Sequence, residues 1–242
     1  MALPKIEYPT INIQIPPENK TYQFRPMLVK EEKLLLMAKV SDDETDMLQA
    51  IKQVVNNCLI DTTLDVNGLP LYALEYVFVK LRGFSIGDKI SVSYRDLEDN
   101  KNYDFEIDLN KVEIKFPDGI DNKIAITDKS GLTLKYPTAE IYSDKLFLKS
   151  EGEETFYRLV IRCINQIYDG DTVHEGKEFD EDALLEFLEY IDIPNFEKIR
   201  NFMLNLPSLY YKIEYTNSNN NHRQIELKTL SDFFTLRWVT IP

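Results

Sequence analysis

Apolar residues recur at spacings of three and four along two stretches in the first third of the chain. After the acidic segment SDDETD, Met47 to Cys58 carry a continuous apolar stripe, which predicts an amphipathic helix. Pro70 stands where a first helical residue belongs, and residues 71–81 follow with the same spacing. Gly83 is the predicted cap at the end of this second helix.

A third helix is predicted within RPMLVKEEKLLLMAK, residues 25–39, where a turn-forming pair precedes a charged group and an apolar block. Pro26 disfavours helix at Arg25, and residues 30–39 are nearly all good helix formers, so a short helix should start near Val29. A helical wheel separates a core-facing set, Leu34, Met37 and Ala38, from a solvent-facing set, Lys30, Glu31 and Lys33. The segment is therefore either an ordinary helix entering a core or a binding surface.

Strict alternation of apolar and polar residues predicts strands elsewhere. Ile11, Ile13 and Ile15 indicate a short edge strand limited by Pro16 and Pro17. KISVSYR and YDFEIDL, joined by a turn at EDNKN, indicate an antiparallel hairpin. KVEIKF, KIAIT and LTLKY continue the pattern, so a sheet of four or five strands is predicted that ends near Pro137.

The helical period returns at Glu154 and is predicted to run past Ile167 to the DGD at 169–171. Asp180 is the predicted N-cap of one further helix, and Pro194 the first residue of another. LYYKIEY and RQIELK, separated by TNSNNNH, predict a final hairpin, followed by a short helix in TLSDFFTL.

The predicted fold class is thus α+β, with N-terminal helices, a central antiparallel β-meander, and C-terminal helices with a final hairpin. The chain divides into a mainly helical region with an edge strand (1–88), an antiparallel β region (89–140) and a helical region with a β-hairpin (141–242). These are either separate regions or parts of one compact domain.

Composition and charge narrow the classes of function. The hydrophobic content of 43% over 242 residues is enough for a core and excludes a disordered class. A net charge of -13 with no basic patch argues against nucleic acid and anionic membranes as partners. The N-terminal MALPKIEYPT lacks the basic start and apolar run of a secretory signal, so a cytoplasmic location is expected.

Candidate chemistry is sparse. Cys58 and Cys163 lie on apolar sides of predicted helices and are expected to be buried free thiols. His174 and His222 are expected in polar loops, without the spacing of a metal site. The glycines are scattered singly and form no phosphate loop. No catalytic residue, cofactor or metal is predicted.

Two features leave alternatives open. Glu75 and Arg82 lie two turns apart on one side of a predicted helix, and a structural ion pair is favoured over a catalytic role. The tyrosines of LYYKIEY fit either a surface that meets a partner or packing against the last helices.

The chain resembles the baseplate hub assembly proteins of T4-like contractile-tailed phages. The resemblance is carried by YQFRPMLVKEEKLLLMAK, AIKQVVNNC, LPLYALEYVFVKLRGFSIGD, IDLNKVEIKF, KIAITDKSGLTLKYPT, DALLEFLEYI and DFF, which cover most of the chain in the family's order. The most specific part is an Arg-Pro block ending in Lys-Glu-Glu-Lys, followed by Leu-Pro-Leu, Glu-Tyr and Leu-Arg. The candidate structural or interaction residues in these motifs are Arg25, Pro26, Lys30, Glu31, Glu32, Lys33, Glu75, Tyr76 and Arg82.

This resemblance implies a non-enzymatic late protein of tail morphogenesis that acts in baseplate hub assembly, as a hub component or an assembly factor. Its implied partners are other baseplate hub proteins and the tape measure protein, met in the host cytoplasm during tail assembly or in the tail baseplate of the virion. The alternative is a chaperone that holds the long helices of the tape measure protein in a groove among its own helices and is absent from the mature virion. An enzyme is the third class, disfavoured because no site constellation is found.

The sequence departs from the resemblance at one place. Relatives often carry paired cysteines in the C-terminal hairpin, where this chain has NSNNNH, Asn217 to His222, so a zinc knuckle is not expected here. The hairpin is expected to be held by its own turn and by packing of Tyr211, Ile213 and Tyr215.

Overall fold

A computed structural model describes residues 7–41, 43–143 and 152–233 of the chain. In chain order the elements are β1 (Ile11–Ile15), β2 (Lys20–Phe24), α1 (Val29–Ser41), α2 (Glu44–Cys58), α3 (Leu71–Ile86), β3 (Lys89–Arg95), β4 (Asn102–Asp108), β5 (Glu113–Lys115), β6 (Lys123–Ala125), β7 (Ser130–Leu134), α4 (Glu153–Cys163), β8 (Ile164–Asp169), β9 (Thr172–Glu175), α5 (Glu181–Glu189), α6 (Ile193–Leu204), β10 (Ser208–Thr216), β11 (His222–Leu227) and α7 (Leu230–Phe233). The predicted α+β class is confirmed, since these helices and small antiparallel sheets follow one another in separate runs.

The described residues form two compact units. The first contains the residues up to Val66, Tyr72–Lys115 and the residues from Ser208 onward. The second contains Asn67–Leu71 and Phe116–Pro207. The three-region division of the sequence at residues 88 and 140 stays a prediction.

The first unit holds three small antiparallel sheets. They are β1–β2, β3–β4 and a three-stranded sheet in the order β11–β10–β5. The predicted edge strand at Ile11–Ile15 and both predicted hairpins are confirmed. A buried cluster joins α3, β3–β4 and the three-stranded sheet, and it is formed by Val79, Val92, Ile107, Leu109, Val112, Leu209, Ile213, Leu227 and Phe233.

The predicted central sheet of four or five strands is wrong. After β4 the chain turns through a short 3-10 segment, Leu109–Lys111, and β5 pairs with β10 rather than with β4. Further along, β6 and β7 join β8 and β9 in the sheet of the second unit, in the order β6–β7–β8–β9. The alternating pattern identified the strands, but β5 takes its partner from a distant part of the sequence, and β7 takes β8 as its second partner.

The predicted helix from Glu154 to beyond Ile167 ends earlier than expected. α4 stops at Cys163, and β8 starts at Ile164 because its residues pair with β7, with Ile167 opposite Leu132. In the predicted helix stop, Asp169 ends β8, and Gly170 and Asp171 form the turn to β9. Gly170 has a φ of 57°. His174 and His222, expected in loops, lie in strands β9 and β11.

Helix ends match the sequence signals at several places. α1 starts at Val29 as predicted, and Asp180 caps α5 by accepting a hydrogen bond from the Ala183 N–H at 2.8 Å. Pro194 lies in the first turn of α6, as expected. The prediction of Gly83 as a helix cap is wrong, because α3 continues to Ile86 and Gly83 is buried inside it.

The second unit packs its own core around α4, α5, α6 and its sheet. The buried side chains are Ile124, Leu132, Leu134, Ile141, Val160, Ile161, Cys163, Ile164, Leu184, Leu188, Ile191, Ile199, Phe202 and Met203. Outside this core, Glu181 accepts hydrogen bonds from Arg158 at 2.9 Å and Arg162 at 2.8 Å, which joins α4 to α5. Sheet and helices of this unit therefore share one continuous apolar layer.

Candidate functional site

The carboxylate of Glu31, predicted to face solvent, is completely buried at the start of α1. The Arg25 guanidinium donates to both of its oxygens, at 2.9 and 3.2 Å, and the Leu28 N–H donates to it at 2.9 Å. The prediction is wrong because a Glu in the first helical turn folds back onto the free N–H groups there, and Arg25 covers it. Burial acts to raise the pKa of Glu31, but the hydrogen bonds from Arg25 and Leu28 hold it below its usual value.

The same arginine ties the start of α1 to its surroundings. Arg25 also donates to the carbonyls of Pro26 at 2.9 Å and Asn57 at 2.7 Å, the latter in the last turn of α2. Its backbone N–H bonds to the Cys58 carbonyl at 2.9 Å. Two of the predicted candidates, Arg25 and Glu31, are thus brought together as a structural pair that fixes how α1 leaves β2 and meets α2.

The outward side of α1 combines lysines with exposed apolar side chains. We call this set the α1 outer face; it consists of Val29, Lys30, Lys33, Met37 and Val40. Val29 is 68%, Met37 72% and Val40 85% exposed. The predicted core position of Met37 is wrong, because at 100° per residue the buried side is set by Glu31, Leu35 and Ala38. Leu34 is half-buried, and Ala38 is buried as predicted.

The other predicted candidates lie apart from this face. Glu32 is exposed one position after Glu31, while Glu75, Tyr76 and Arg82 lie on α3. Burial raises the pKa of the half-buried Glu75 to about 7. Arg82 donates from Nη1 to the Gly87 carbonyl at 3.1 Å, just beyond the helix. The predicted Glu75–Arg82 ion pair stays a prediction.

Tyr76 belongs to a structural contact that the sequence did not reveal. Its ring lies 5.0 Å from the ammonium of Lys80, one turn further along α3. That ammonium donates to three backbone carbonyls of the turn after β4, those of Leu109, Asn110 and Val112, at 3.1, 2.7 and 2.8 Å. Burial lowers the pKa of Lys80 to about 8. Lys80 therefore fastens that turn to α3.

A second buried carboxylate joins the tips of two hairpins, β3–β4 and β10–β11. Asp96 is fully buried and accepts from the Tyr215 hydroxyl at 2.8 Å and the Asn217 amide at 3.3 Å, with Arg223 Nε at 3.4 Å. The hydrogen bonds from Glu98 N–H, Tyr215 and Asn217 outweigh burial and lower the pKa of Asp96. The two turns, far apart in sequence, therefore share one buried anion.

Neighbouring residues extend this hairpin-tip network. Asn217 is itself buried, donates to Glu98 at 3.0 Å, and accepts from the Asn219 and Asn221 N–H groups at 3.1 and 3.0 Å. Asp99 accepts from the Ser218 N–H at 3.0 Å and from the Ser218 hydroxyl at 2.8 Å. The segment NSNNN is thus held by carboxylates and amides.

The expected packing of the final hairpin is present as well. Ile213 is buried, and the Tyr215 ring lies 4.9 Å from that of Tyr103 and 5.2 Å from that of Phe105. Tyr215 therefore packs against rings of β4, whereas the packing alternative predicted from the sequence was against the last helices. The expectation that the hairpin relies on its own turn was incomplete, because the β3–β4 tip supplies most of the acceptors.

The cysteines and the possible metal ligands among the described residues add no further candidate site. Cys58 and Cys163 are free and buried, as predicted, and burial raises their pKa values to about 11 and about 12. Within residues 7–41, 43–143 and 152–233, no cluster of three or more His, Cys, Asp and Glu side chains could hold a metal ion. None of the helices described has both the length and the apolar character needed to cross a bilayer.

Comparison with known proteins identifies a family. The model of the family described as T4 bacteriophage base plate protein matches residues 8–235, which include every candidate residue named from the sequence. No curated protein and no solved structure matches the chain.

Proposed function

The chain belongs to the T4 bacteriophage base plate protein family, and on that premise we propose that it is a non-enzymatic component of the baseplate hub that acts during tail assembly. Its contact with the other hub proteins is made by the α1 outer face. This assignment gives a role to Lys30 and Lys33, which the family resemblance singled out and whose side chains are exposed, although the Lys30 ammonium also lies 3.6 Å from Glu31.

The observation that supports the proposal is the composition of the α1 outer face. Three exposed apolar side chains lie beside two lysines on one side of α1, in a chain whose net charge is -13. Apolar side chains grouped on one exposed helix face are typical of surfaces that a partner covers. The two ammonium groups suit a partner with carboxylates around an apolar centre.

The Arg25–Glu31 pair, on the opposite side of α1, supports this role by holding the helix in place. It fixes the first turn of α1 to the end of α2, so the outer face is held in one orientation before a partner arrives. A surface that is already rigid loses little conformational entropy on binding.

The test is assembly in infected cells that supply this protein from a plasmid. The variant carries Lys30→Glu with Lys33→Glu, and the matched control carries Lys129→Glu with Lys177→Glu, two exposed lysines of the second unit. We expect at least tenfold fewer completed tails with the first variant, no loss with the control, and unchanged circular dichroism for both. Equal tail yields for the two variants would contradict the α1 assignment.

Mass spectrometry of purified virions tests whether the protein remains in the mature particle as a hub component. A hub component is recovered with the particles in fixed proportion to other baseplate proteins. Absence from virions, together with recovery on a tagged tape measure protein, would assign the chain to the chaperone class instead.

A further inference from the structure

Strands β4 and β10 run beside each other in the first unit without pairing. β4 is bonded to β3 only, while β10 is bonded to β11 on one side and to β5 on the other. β5 covers only Ser208, Leu209 and Tyr210, so the edge of β10 from Tyr211 onward is open on that side. Among the described residues, no backbone hydrogen bond joins β4 to β10.

A groove of about 350 Å³ lies between these two open edges. It is lined by two runs of four residues, Asp104–Phe105–Glu106–Ile107 of β4 and Tyr211–Lys212–Ile213–Glu214 of β10. The ring contact of Tyr103 with Tyr215, at 4.9 Å, brings the start of β4 to the end of β10, so the two strands run antiparallel. The hairpin-tip network holds them together at that end.

The groove has an apolar floor. Ile107 and Ile213 are buried in the core of the first unit, and Phe105 and Tyr211 pack against that core. Alternate residues of a strand point to opposite sides, so the intervening side chains form the rim.

The rim is acidic. Its side chains are Asp104, Glu106, Glu214 and Lys212, and Lys89 of β3 adds a second cation. Lys89 lies 2.6 Å from Glu106 and Lys212 lies 2.5 Å from Glu214, so the uncompensated charge of the rim is the carboxylate of Asp104. A rim of this composition attracts cationic side chains.

We propose that this groove is a slot for one extended segment of a partner protein whose residues alternate between apolar and basic. Its apolar residues lie on Phe105 and Ile213, and a Lys or Arg side chain meets the carboxylate of Asp104. An edge strand presents alternate N–H and C=O groups without partners, and here two such edges face one segment. The inserted strand is antiparallel to one edge and parallel to the other, and it joins β3–β4 to β10–β11 as one sheet.

The slot sets the length of the occupant. Four residues per edge at about 3.3 Å each correspond to about 13 Å of strand. A segment of about seven residues therefore covers the slot and leaves both ends in solvent. This inference does not depend on the hub role, because it rests on the two strand edges and on their charge.

The experiment uses the full chain and a fluorescein-labelled seven-residue peptide that alternates Ile or Val with Arg or Lys. Binding is followed by fluorescence anisotropy, and the sites of protection are located by hydrogen exchange. We expect binding that weakens with salt, together with slower amide exchange in 104–107 and 211–214. A peptide with Glu at the basic positions should not bind.

A pair of protein variants locates the contact. Asp104→Lys should weaken binding at least tenfold, whereas Asp118→Lys, an equally exposed change outside the groove, should leave it unchanged. Equal binding of the acidic peptide, equal binding by the two variants, or protection elsewhere in the chain would overturn the proposal.

Two other occupants are distinguished by a truncated variant and by the oligomeric state of the protein. If the peptide binds only to a variant that ends at Phe233, the slot belongs to the chain's own residues 234–242, and the proposal fails. If the protein without peptide is a dimer in analytical ultracentrifugation that the peptide dissociates, the occupant is a second copy of this chain, and the proposal fails equally.

Discussion

Two buried carboxylates of the first unit, Glu31 and Asp96, are both shielded completely from solvent but reach that state by different routes. Glu31 is held by Arg25 and Leu28, its neighbours in one short turn. Asp96 is held by Tyr215, Asn217 and Arg223, which lie in another hairpin far along the chain. The carboxylate and its main partners at the first site lie within residues 25–31, whereas the second site requires two hairpins to meet.

The two carboxylates also differ in the charge of the groups that donate hydrogen bonds to them. Glu31 faces a full guanidinium that makes two hydrogen bonds to it. Asp96 is held mainly by neutral donors, with Arg223 at 3.4 Å as its cation. We therefore expect loss of a partner to cost more at Glu31 than in the hairpin-tip network, because a buried charge left without its counter-charge is the costlier defect.

The largest effect is expected for Glu31→Gln. The substitution keeps the shape of the side chain but leaves the Arg25 guanidinium beside a neutral amide, so the free energy of unfolding should fall by about 3 kcal/mol. Urea unfolding at pH 7, followed by circular dichroism, measures the loss.

Glu32→Gln is the matched control for Glu31→Gln, since it makes the same change at the adjacent exposed position. Its effect should stay within about 0.5 kcal/mol. Below the ordinary Glu pKa of 4.5 the difference between Glu31→Gln and the unchanged protein should shrink. Glu31 has a lowered folded-state pKa, so its contribution is present above the unfolded pKa and is lost as pH falls through the folded one. A pH-independent difference would contradict the ion-pair explanation.

A smaller loss is expected for Asn217→Ala, which probes the long-range network. The substitution removes the donor to Asp96 and Glu98 and the acceptor for two N–H groups of the turn, at a cost of about 2 kcal/mol. Asn219→Ala, in the same turn with an exposed side chain, is the control and should be nearly neutral. A cost above that of Glu31→Gln would reverse the ranking of the two sites.

The smallest effect, and one of opposite sign, is expected at Glu75. Burial raises its pKa to about 7, so between the unfolded value of 4.5 and pH 7 the folded protein keeps a proton that the unfolded chain has released. Stability from this group is therefore lost as pH rises through that range. Glu75→Gln cannot ionise and should raise the free energy of unfolding at pH 8 by about 1 kcal/mol, with no gain below pH 4.5. A gain that is equal at both pH values would show that packing, and not ionisation, is the cause.

The sequence correctly predicted those structural features that depend only on neighbouring residues. The start of α1 at Val29, the Asp180 cap and the strand at Ile11–Ile15 depend on residues within one turn or one strand, and all three are confirmed. The end of α4 could not be read in the same way, because Ile164 and Ile167 fit a helical stripe as well as a strand, and pairing with β7 decides between them.

The same distinction applies to the candidate site. The motif named Arg25 and Glu31, although solvent exposure was wrongly assigned to Glu31 because a helical wheel does not show what lies above the first turn. Asp96, Asn217 and Lys80 were missed, since nothing in their own surroundings marks the partners they meet. A carboxylate at a turn next to an alternating apolar run was the one available signal for Asp96.

The pairing of Lys115 with Ser208 has a consequence for the modular construction of the chain. These residues face each other across β5 and β10, and the chain between them is Phe116–Pro207, nearly the whole of the second unit. The segment Phe116–Pro207 is therefore an insertion whose two ends enter and leave at one point of an antiparallel ladder. A tight turn could replace it without moving either strand, which makes this the natural place to excise, exchange or transplant a module.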